Sequence, residues 1–212
     1  MEARKPSTRE RLLDVAENLF ATNGFAGTSF RDIGSALGIA NASITYHFPS
    51  KKKIYAAVLS RVADSARTVV VGDADDGYPA AEQIRRMVDR VSDWGETNPG
   101  YLRLLVREMM ENPERLTPDS TPFMADVVNG LRRPIDRARQ EGYLRDVDPL
   151  MFLLHLIGAI SYFSIAAPTV GLITHQADIG ELRGRFRATL HQVVETCLAA
   201  RPAPSPPDPG AP

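Results

Sequence analysis

The spacing of apolar residues constrains this chain more than any other feature of its sequence. Along almost all of the 212 residues, apolar side chains recur every three or four positions, which is the period of an amphipathic helix. Strict alternation of apolar and polar residues, the pattern of a half-buried strand, is not found over any length. The sequence therefore predicts an all-α protein.

Two helix start signals stand near the N-terminus. Ser7 is followed three residues later by Glu10, and Ser29 by Asp32. Each pair matches a capping box, in which the serine and acidic side chains bond to backbone amides at the start of a helix. Gly38 then predicts a tight turn before a short third helix. These signals predict a three-helix unit, followed by a fourth helix that begins near residue 51.

Five more helices are predicted in the rest of the chain. Asp148 and Pro149 supply a cap and a first-turn proline for the eighth helix. Pro134 lies inside the pattern of the seventh helix, so we expect a kink or a break there. Residues 202–212 are rich in proline and cannot pack into a core, so they are expected to be disordered.

Residues 150–173 form a run without a formal charge at neutral pH. The run is long enough for a membrane-spanning helix. Polar residues and Pro168 interrupt it, however, and no cluster of lysine or arginine flanks it. We therefore expect a helix covered by other helices or by a second subunit, and no membrane association.

Charge is distributed unevenly along the chain. Residues 1–55 contain 8 Lys and Arg against 5 Asp and Glu, whereas the remaining residues contain 17 against 21. A mildly basic N-terminal part suggests that only this part approaches a polyanion. Cys197 is the one cysteine and cannot form an internal disulfide, and the N-terminus lacks the pattern of a signal peptide. A cytoplasmic protein is expected.

The segment from about residue 29 to residue 48 has the pattern of a helix-turn-helix. Its apolar residues can form a small shared core with the first helix, and its second helix then exposes side chains with donors and acceptors. These side chains are Asn41, Ser43, Thr45, Tyr46 and His47. They could reach base edges or phosphates in a major groove. The pattern alone fits an ordinary helical hairpin with a polar outer face equally well.

The same region resembles the DNA-binding region of TetR-family regulators. The resemblance covers residues 7 to about 59, and the motifs agree with the family pattern in order and spacing. The matching motifs are Gly24-Phe25, Thr28-Ser29, Asp32-Ile33-Gly34, Gly38-Ile39, Tyr46-His47-Phe48 and Pro49-Ser50-Lys51. The chain departs from the pattern where Asn41-Ala42 replaces the common Lys-Gly and Thr45 replaces a tyrosine.

The resemblance implies roles for these residues. Tyr46, His47 and Lys51 are expected to contact the sugar-phosphate backbone, which sets register without reading sequence. Base reading then belongs to Asn41, Ser43 and Thr45. Thr28 and Ser29, at the start of the second helix, complete the candidate set for DNA binding.

By resemblance, the C-terminal part is helical, dimerises through its last two helices and often holds a small-molecule pocket. Phe186 and Leu190 lie on the apolar seam predicted for the dimer, although that seam could also pack within its own subunit. The candidate ligand-binding residues are Trp94, Met110, Phe123, His155 and Tyr162. A pocket of this kind is mostly apolar with a few polar groups, and each residue could also be plain core.

The resemblance implies a DNA-binding domain over residues 1–55 and a regulatory and dimerisation domain, a helical bundle, over residues 56–201. We expect a homodimeric, sequence-specific transcriptional regulator, a repressor released from a palindromic operator by a small apolar effector. Two alternatives stay open: a DNA-binding regulator controlled by a protein partner, and a helical binding module with a vestigial DNA-binding head.

An enzyme is not expected. The four histidines lack the spacing of metal ligands. The sequence has neither a glycine-rich phosphate loop nor the elbow that carries a nucleophilic serine. No cofactor and no metal are therefore expected.

Overall fold

The computed structural model describes residues 6–70, 77–111, 124–144, 147–176 and 178–198. Within these ranges the chain is helical, and the β-type pairing found in them is an isolated bridge between Leu144 and Leu198. In chain order the described helices are α1 (Thr8–Asn23), α2 (Phe30–Leu37), α3 (Asn41–His47), α4 (Lys51–Val70), α5 (Ala80–Thr97), α6 (Pro99–Glu111), α7 (Ala125–Gln140), α8 (Pro149–Ile173) and α9 (Ile179–Cys197). The prediction of an all-α protein is confirmed. The proline-rich tail lies outside the described residues.

Both capping boxes are confirmed. At the start of α1, the amide of Glu10 donates to the Ser7 hydroxyl (3.2 Å) and the amide of Ser7 donates to the Glu10 carboxylate (2.6 Å). Ser29 and Asp32 repeat the arrangement at α2, at 3.2 and 2.7 Å. The hydrogen bonds from Ser29 lower the pKa of Asp32. These contacts fix where each of the first two helices begins.

The four N-terminal helices share one small core. Phe20 of α1, Ile33 of α2, Ile44 of α3 and Val58 of α4 are completely buried. Gly38 adopts a left-handed conformation (φ 66°) between α2 and α3, which a glycine accepts without strain. The turn and this shared core hold α3 against α2.

α5 is the central helix of the C-terminal part and packs against α4, α6, α7, α8 and α9. From sequence, we expect a kink or a break at Pro134. The helix does not break there, because α7 is continuous across the proline. Leu131 and Ile135 are buried on either side of the proline. Their burial holds the helix together despite the missing backbone donor, a loss that costs about 3 kcal/mol in a helix interior.

α8 is covered by the rest of its own chain on one side only. It is long and apolar enough to span a membrane by length and composition, and 28% of its most apolar stretch is buried. Phe152, Leu156 and Ile160 lie on the buried side. The other helices described here therefore cover α8 only in part, and an apolar face stays open.

The apolar seam of α9 faces its own subunit. Leu190 is 4% exposed and Val194 is fully buried. Phe186 stacks on Phe163 of α8, with ring centroids 4.0 Å apart and an angle of 1° between the planes. The predicted dimer seam at Leu190 is therefore wrong, because this side chain is already buried within one chain.

Candidate DNA-binding surface

α2 and α3 approach each other closely at Gly34. The Ile39 amide donates to the Gly34 carbonyl (3.0 Å). A Cβ at position 34 would lie 2.8 Å from the Ile39 carbonyl oxygen and 3.3 Å from the Asn41 side-chain oxygen. Because Gly34 has no Cβ, α3 can lie directly on α2.

α3 presents a polar face to solvent. Its buried side is Ile44, while Asn41, Ser43 and Thr45 are exposed. Tyr46 is 86% exposed, and the ring of half-buried His47 lies edge-on to it at 5.2 Å. The structure thus brings five of the predicted DNA-binding residues together on one short, well-anchored helix.

Thr28 does not belong to this face. It is 1% exposed, and its hydroxyl donates to the Gly24 carbonyl (2.9 Å) and to the Leu19 carbonyl (3.2 Å). The expectation that its side chain contacts DNA is corrected, because the side chain is enclosed in the turn between α1 and α2. Ser29 is exposed, but its hydroxyl is engaged with Asp32 in the capping box.

Lys51, expected on a phosphate, points inward instead. Its ammonium donates to the carbonyls of Phe25 (2.8 Å) and Thr28 (2.9 Å). It also lies 4.4 Å from the centroid of the Phe25 ring. The neighbouring Lys52 and Lys53 are exposed.

Arg9 was missed by the sequence analysis. Its guanidinium lies 5.1 Å from the centroid of the Phe48 ring, directly after the end of α3. The sequence signal was a basic residue in the first turn of α1, and nothing in the spacing shows that α1 and α3 meet there. Arg9 therefore places a positive charge against the residue that directly follows α3.

The candidate ligand-binding residues are not gathered in one pocket. Trp94 is buried and donates to the Ser65 hydroxyl (3.1 Å), whereas Met110 is 76% exposed and Tyr162 is 73% exposed. His155 is also exposed, on the same open side of α8 as Tyr162. The expectation that these side chains line a common cavity is wrong, because Trp94 is buried in the core while Met110 and Tyr162 are exposed on different helices. Phe123 lies outside the described residues.

Two open clefts lie elsewhere on the C-terminal part. One of about 510 Å³ is at the turn between α8 and α9, and one of about 630 Å³ is where α5 begins and α9 ends. The first is lined by Pro168, Gly171, Leu172, His175, Gln176 and Ile179. The second is lined by Pro79, Ala81, Glu82, Arg85, Tyr143, Glu195 and Leu198. Of the candidate ligand residues that the structure describes, none lines either cleft.

α6 connects the C-terminal part to the DNA-binding helices through polar contacts. The hydroxyl of Tyr55, on α4, donates to the Glu108 carboxylate (2.7 Å). The Arg107 guanidinium donates to the Thr22 carbonyl in the last turn of α1 (3.0 Å). Gly24 follows so closely that a Cβ there would lie 3.0 Å from Arg107. A movement of α6 would therefore reach α1 and α4 directly.

Comparisons with known proteins agree with this arrangement. The family model for bacterial regulatory proteins of the tetR family matches residues 12–58, and the model for tetracyclin repressor-like C-terminal domains matches residues 81–194.

Individual relatives are more distant. The transcriptional regulator RutR of Escherichia coli K12 is 25% identical over 169 residues, covering 78% of each chain. The nucleoid occlusion factor SlmA of Photobacterium profundum is 24% identical over 160 residues, covering 74% of this chain and 82% of its own. A bacterial regulatory protein in the tetR family from Rhodococcus RHA1 superposes with a TM-score of 0.73 at 16% identity, covering 92% of this chain and all of its own.

Proposed function

The chain belongs to the tetR family of bacterial regulatory proteins, and on that premise we propose that it is a repressor, released from an inverted-repeat operator by a small molecule. At the coarser level it is a DNA-binding transcriptional regulator and not an enzyme. Regulators of this family are soluble and act as homodimers on operator DNA, and we place this one in the cytoplasm.

The observation that carries the DNA-binding proposal is the polar face of α3, held rigid by the buried side of the same helix. α3 enters the major groove in this proposal, with Asn41, Ser43 and Thr45 at base edges. Asparagine can bond adenine through two atoms, and the threonine methyl can touch that of thymine. Tyr46 and His47 lie against the backbone and fix the register.

We place the boundary between the two domains inside α4, near residue 55. Early in α4, Tyr55 packs its ring against Phe20 of α1, with centroids 4.9 Å apart. Later in α4, Ser65 accepts the hydrogen bond from Trp94 of α5, and Arg67 pairs with Asp126 of α7 (3.6 Å). One helix therefore serves the DNA-binding core with its first half and the regulatory core with its second.

The open face of α8 supports the dimer, with a second copy of this chain as its occupant. Seven exposed positions repeat along it at alternating steps of four and three residues, the spacing of a helix-helix seam. They are Met151, His155, Gly158, Tyr162, Ile165, Thr169 and Leu172. His155 and Tyr162, expected in a pocket, are thereby assigned to the dimer interface.

The dimer proposal is tested with Tyr162→Glu, measured by light scattering at micromolar concentration. A charge in this seam should give monomers, because an ionised carboxylate buried without a partner is strongly unfavourable. Val128→Glu is the matched control, since Val128 is an exposed apolar residue on α7, and it should remain dimeric. A monomeric unmodified protein, or a dimeric Tyr162→Glu variant, would contradict the proposal.

Small-molecule control is supported by the connection through α6. A ligand held in the C-terminal core could displace α6, and the contacts of Arg107 and Glu108 with α1 and α4 would pass the displacement to α3. In a symmetric dimer this changes the spacing of the two reading helices, which must match half-sites about 34–36 Å apart or a multiple of that distance.

A second candidate is control by a protein partner. It is favoured by the separation of the candidate ligand residues and by the similarity to SlmA, whose name describes a nucleoid occlusion factor. Thermal unfolding with a metabolite library separates the two candidates. A ligand at ~100 times its dissociation constant should stabilise the dimer by about 2.7 kcal/mol, and it should release DNA.

The operator itself is found by selecting binding sites from random duplexes. An inverted repeat supports the proposed recognition, and a collection of unrelated sequences would refute it. If an inverted repeat emerges and no metabolite releases it, control by a protein partner becomes the better account.

A further inference from the structure

Lys51 begins α4, and its ammonium is committed within the protein. An ammonium has three N–H donors. Two of them end on the carbonyls of Phe25 and Thr28, at 2.8 and 2.9 Å, and the group lies 4.4 Å from the centroid of the Phe25 ring. A phosphate contact would have to share the remaining donor or break these bonds.

The two carbonyls belong to the turn that joins α1 to α2. Inside this turn, the buried Thr28 hydroxyl bonds back to the Gly24 carbonyl (2.9 Å). Ser29, directly after it, caps α2. Lys51 therefore ties the first turn of α4 to the segment that starts α2, and α2 in turn carries α3 through the contact at Gly34.

The position of Lys51 on its helix agrees with such a tie. Residues 51–53 are all lysine, and the first turn of α4 has no acidic residue. Cations at the start of a helix are disfavoured by the helix dipole. Lys52 and Lys53 are exposed at the surface, where water can solvate their charges. The charge of the half-buried Lys51 is instead stabilised by the two carbonyls and the aromatic ring.

We propose that Lys51 is a positioning residue rather than a phosphate contact: it clasps the α1–α2 turn to α4 and so sets the angle at which α3 meets DNA. This inference rests on the assignment of α3 to the groove. It departs from the role that the resemblance implies for this lysine, because the family motif fixes the residue type and not the direction of its side chain.

Acylation of lysines in the unmodified dimer, read residue by residue with mass spectrometry, tests the clasp directly. Lys51 should react about tenfold or more slowly than Lys52 and Lys53, since a hydrogen bond to a charged group typically shifts an equilibrium by at least that factor. Its rate should be the same with and without operator. A Lys51 that reacts like its neighbours in the free protein and becomes protected on DNA would overturn the proposal.

Lys51→Met and Lys51→Arg test the consequence for DNA recognition, with Lys52→Met as the matched control for charge. A lysine on a phosphate contributes about 0.9 per half-site to the slope of log affinity against log salt. We expect both Lys51 variants to lose more affinity for the operator than for random DNA, at an unchanged slope. The planar guanidinium of arginine cannot replace an ammonium that donates to two converging carbonyls, although it binds phosphate well.

Lys52→Met should keep the ratio of operator affinity to random-DNA affinity. A Lys51→Met variant with a reduced slope and an unchanged ratio would refute the clasp, as would a Lys51→Arg variant that binds like the unmodified protein. If the Lys51 variants do not fold, the acylation rates of the unmodified protein still show whether Lys51 is held by the two carbonyls. That measurement in free protein needs no operator, so it also separates a failed clasp from a failed recognition proposal.

Discussion

Replacing Tyr55 by phenylalanine removes the hydrogen bond from its hydroxyl to Glu108 and keeps the aromatic ring. The ring is 2% exposed and lies edge-on to Phe20 (4.9 Å) and Phe25 (5.0 Å). Phenylalanine can keep both contacts. The change therefore removes the bond from the hydroxyl to Glu108, which joins α4 to α6 at 2.7 Å.

The magnitude follows from the charge on the partner. A hydrogen bond to a charged group contributes about 1.5–3 kcal/mol. The half-exposed Glu108 can recover water when the hydroxyl is lost, and no buried donor stays unpaired. We therefore expect a loss of about 1–2 kcal/mol in the free energy of unfolding. For a chain of this size that lowers the melting temperature by about 2–8 °C.

The assay is thermal unfolding at fixed protein concentration, because a dimer's melting temperature depends on concentration. Tyr78→Phe is the control, since no partner for that hydroxyl is seen among the described residues and the Tyr78 ring lies against Arg86 (3.7 Å). Its change should stay within about 0.5 kcal/mol. Glu108→Gln and the double variant complete a cycle. Additive effects of Tyr55→Phe and Glu108→Gln would refute the claim that this pair couples the domains.

Three further changes test separate features, each by the melting temperature. His175→Gly should stabilise the protein by about 0.5–1 kcal/mol, because His175 holds a left-handed conformation (φ 54°) after α8 that glycine adopts without steric strain; an unchanged or lower melting temperature would contradict this. Thr28→Val should cost about 1–2 kcal/mol through its lost hydrogen bonds, while operator affinity well below the melting temperature stays unchanged; weaker binding there would return Thr28 to the DNA face. The hydrogen bond from Arg85 lowers the pKa of Glu195 below its ordinary 4.5, so this pair stabilises the protein above that pH and stops doing so as the pH falls through the lowered pKa. Glu195→Gln should therefore melt below the unmodified protein at neutral pH and approach it in acid, and a gap that persists in acid would count against the ion pair.

The N-terminal helices could be predicted from sequence because their signals are local. A capping box needs only two side chains three residues apart. The pairs Ser7 with Glu10 and Ser29 with Asp32 therefore predict a helix start without any distant contact. The exposed face of α3 follows from the periodicity around Ile44 in the same way. In these helices, the residues that determine the structure lie next to one another in the sequence.

Features that depend on distant segments could not be predicted. Lys51 turns inward because residues 25–28, more than 20 positions earlier, offer it two carbonyls. From sequence, Leu190 is assigned to a dimer seam. An apolar stripe has the same pattern whether it packs against α8 of the same chain or against a second copy. Sequence period identifies the buried side of a helix and leaves the identity of the covering surface open.

The two sides of α8 restrict how an effector can act. If the open side of α8 holds the second subunit, as proposed, an effector that acts on α8 would do so from the buried side, where α5 and α8 meet. At Gly95 of α5, a Cβ would lie 2.9 Å from the Leu102 side chain and 3.2 Å from the Ser164 hydroxyl. A molecule that separates α5 from α8 at this contact must displace Leu102, and Leu102 lies on α6, the helix that holds Thr22 and Tyr55 through Arg107 and Glu108. The tight contact at Gly95 thus connects the core of the regulatory domain to the turn that positions the reading helix.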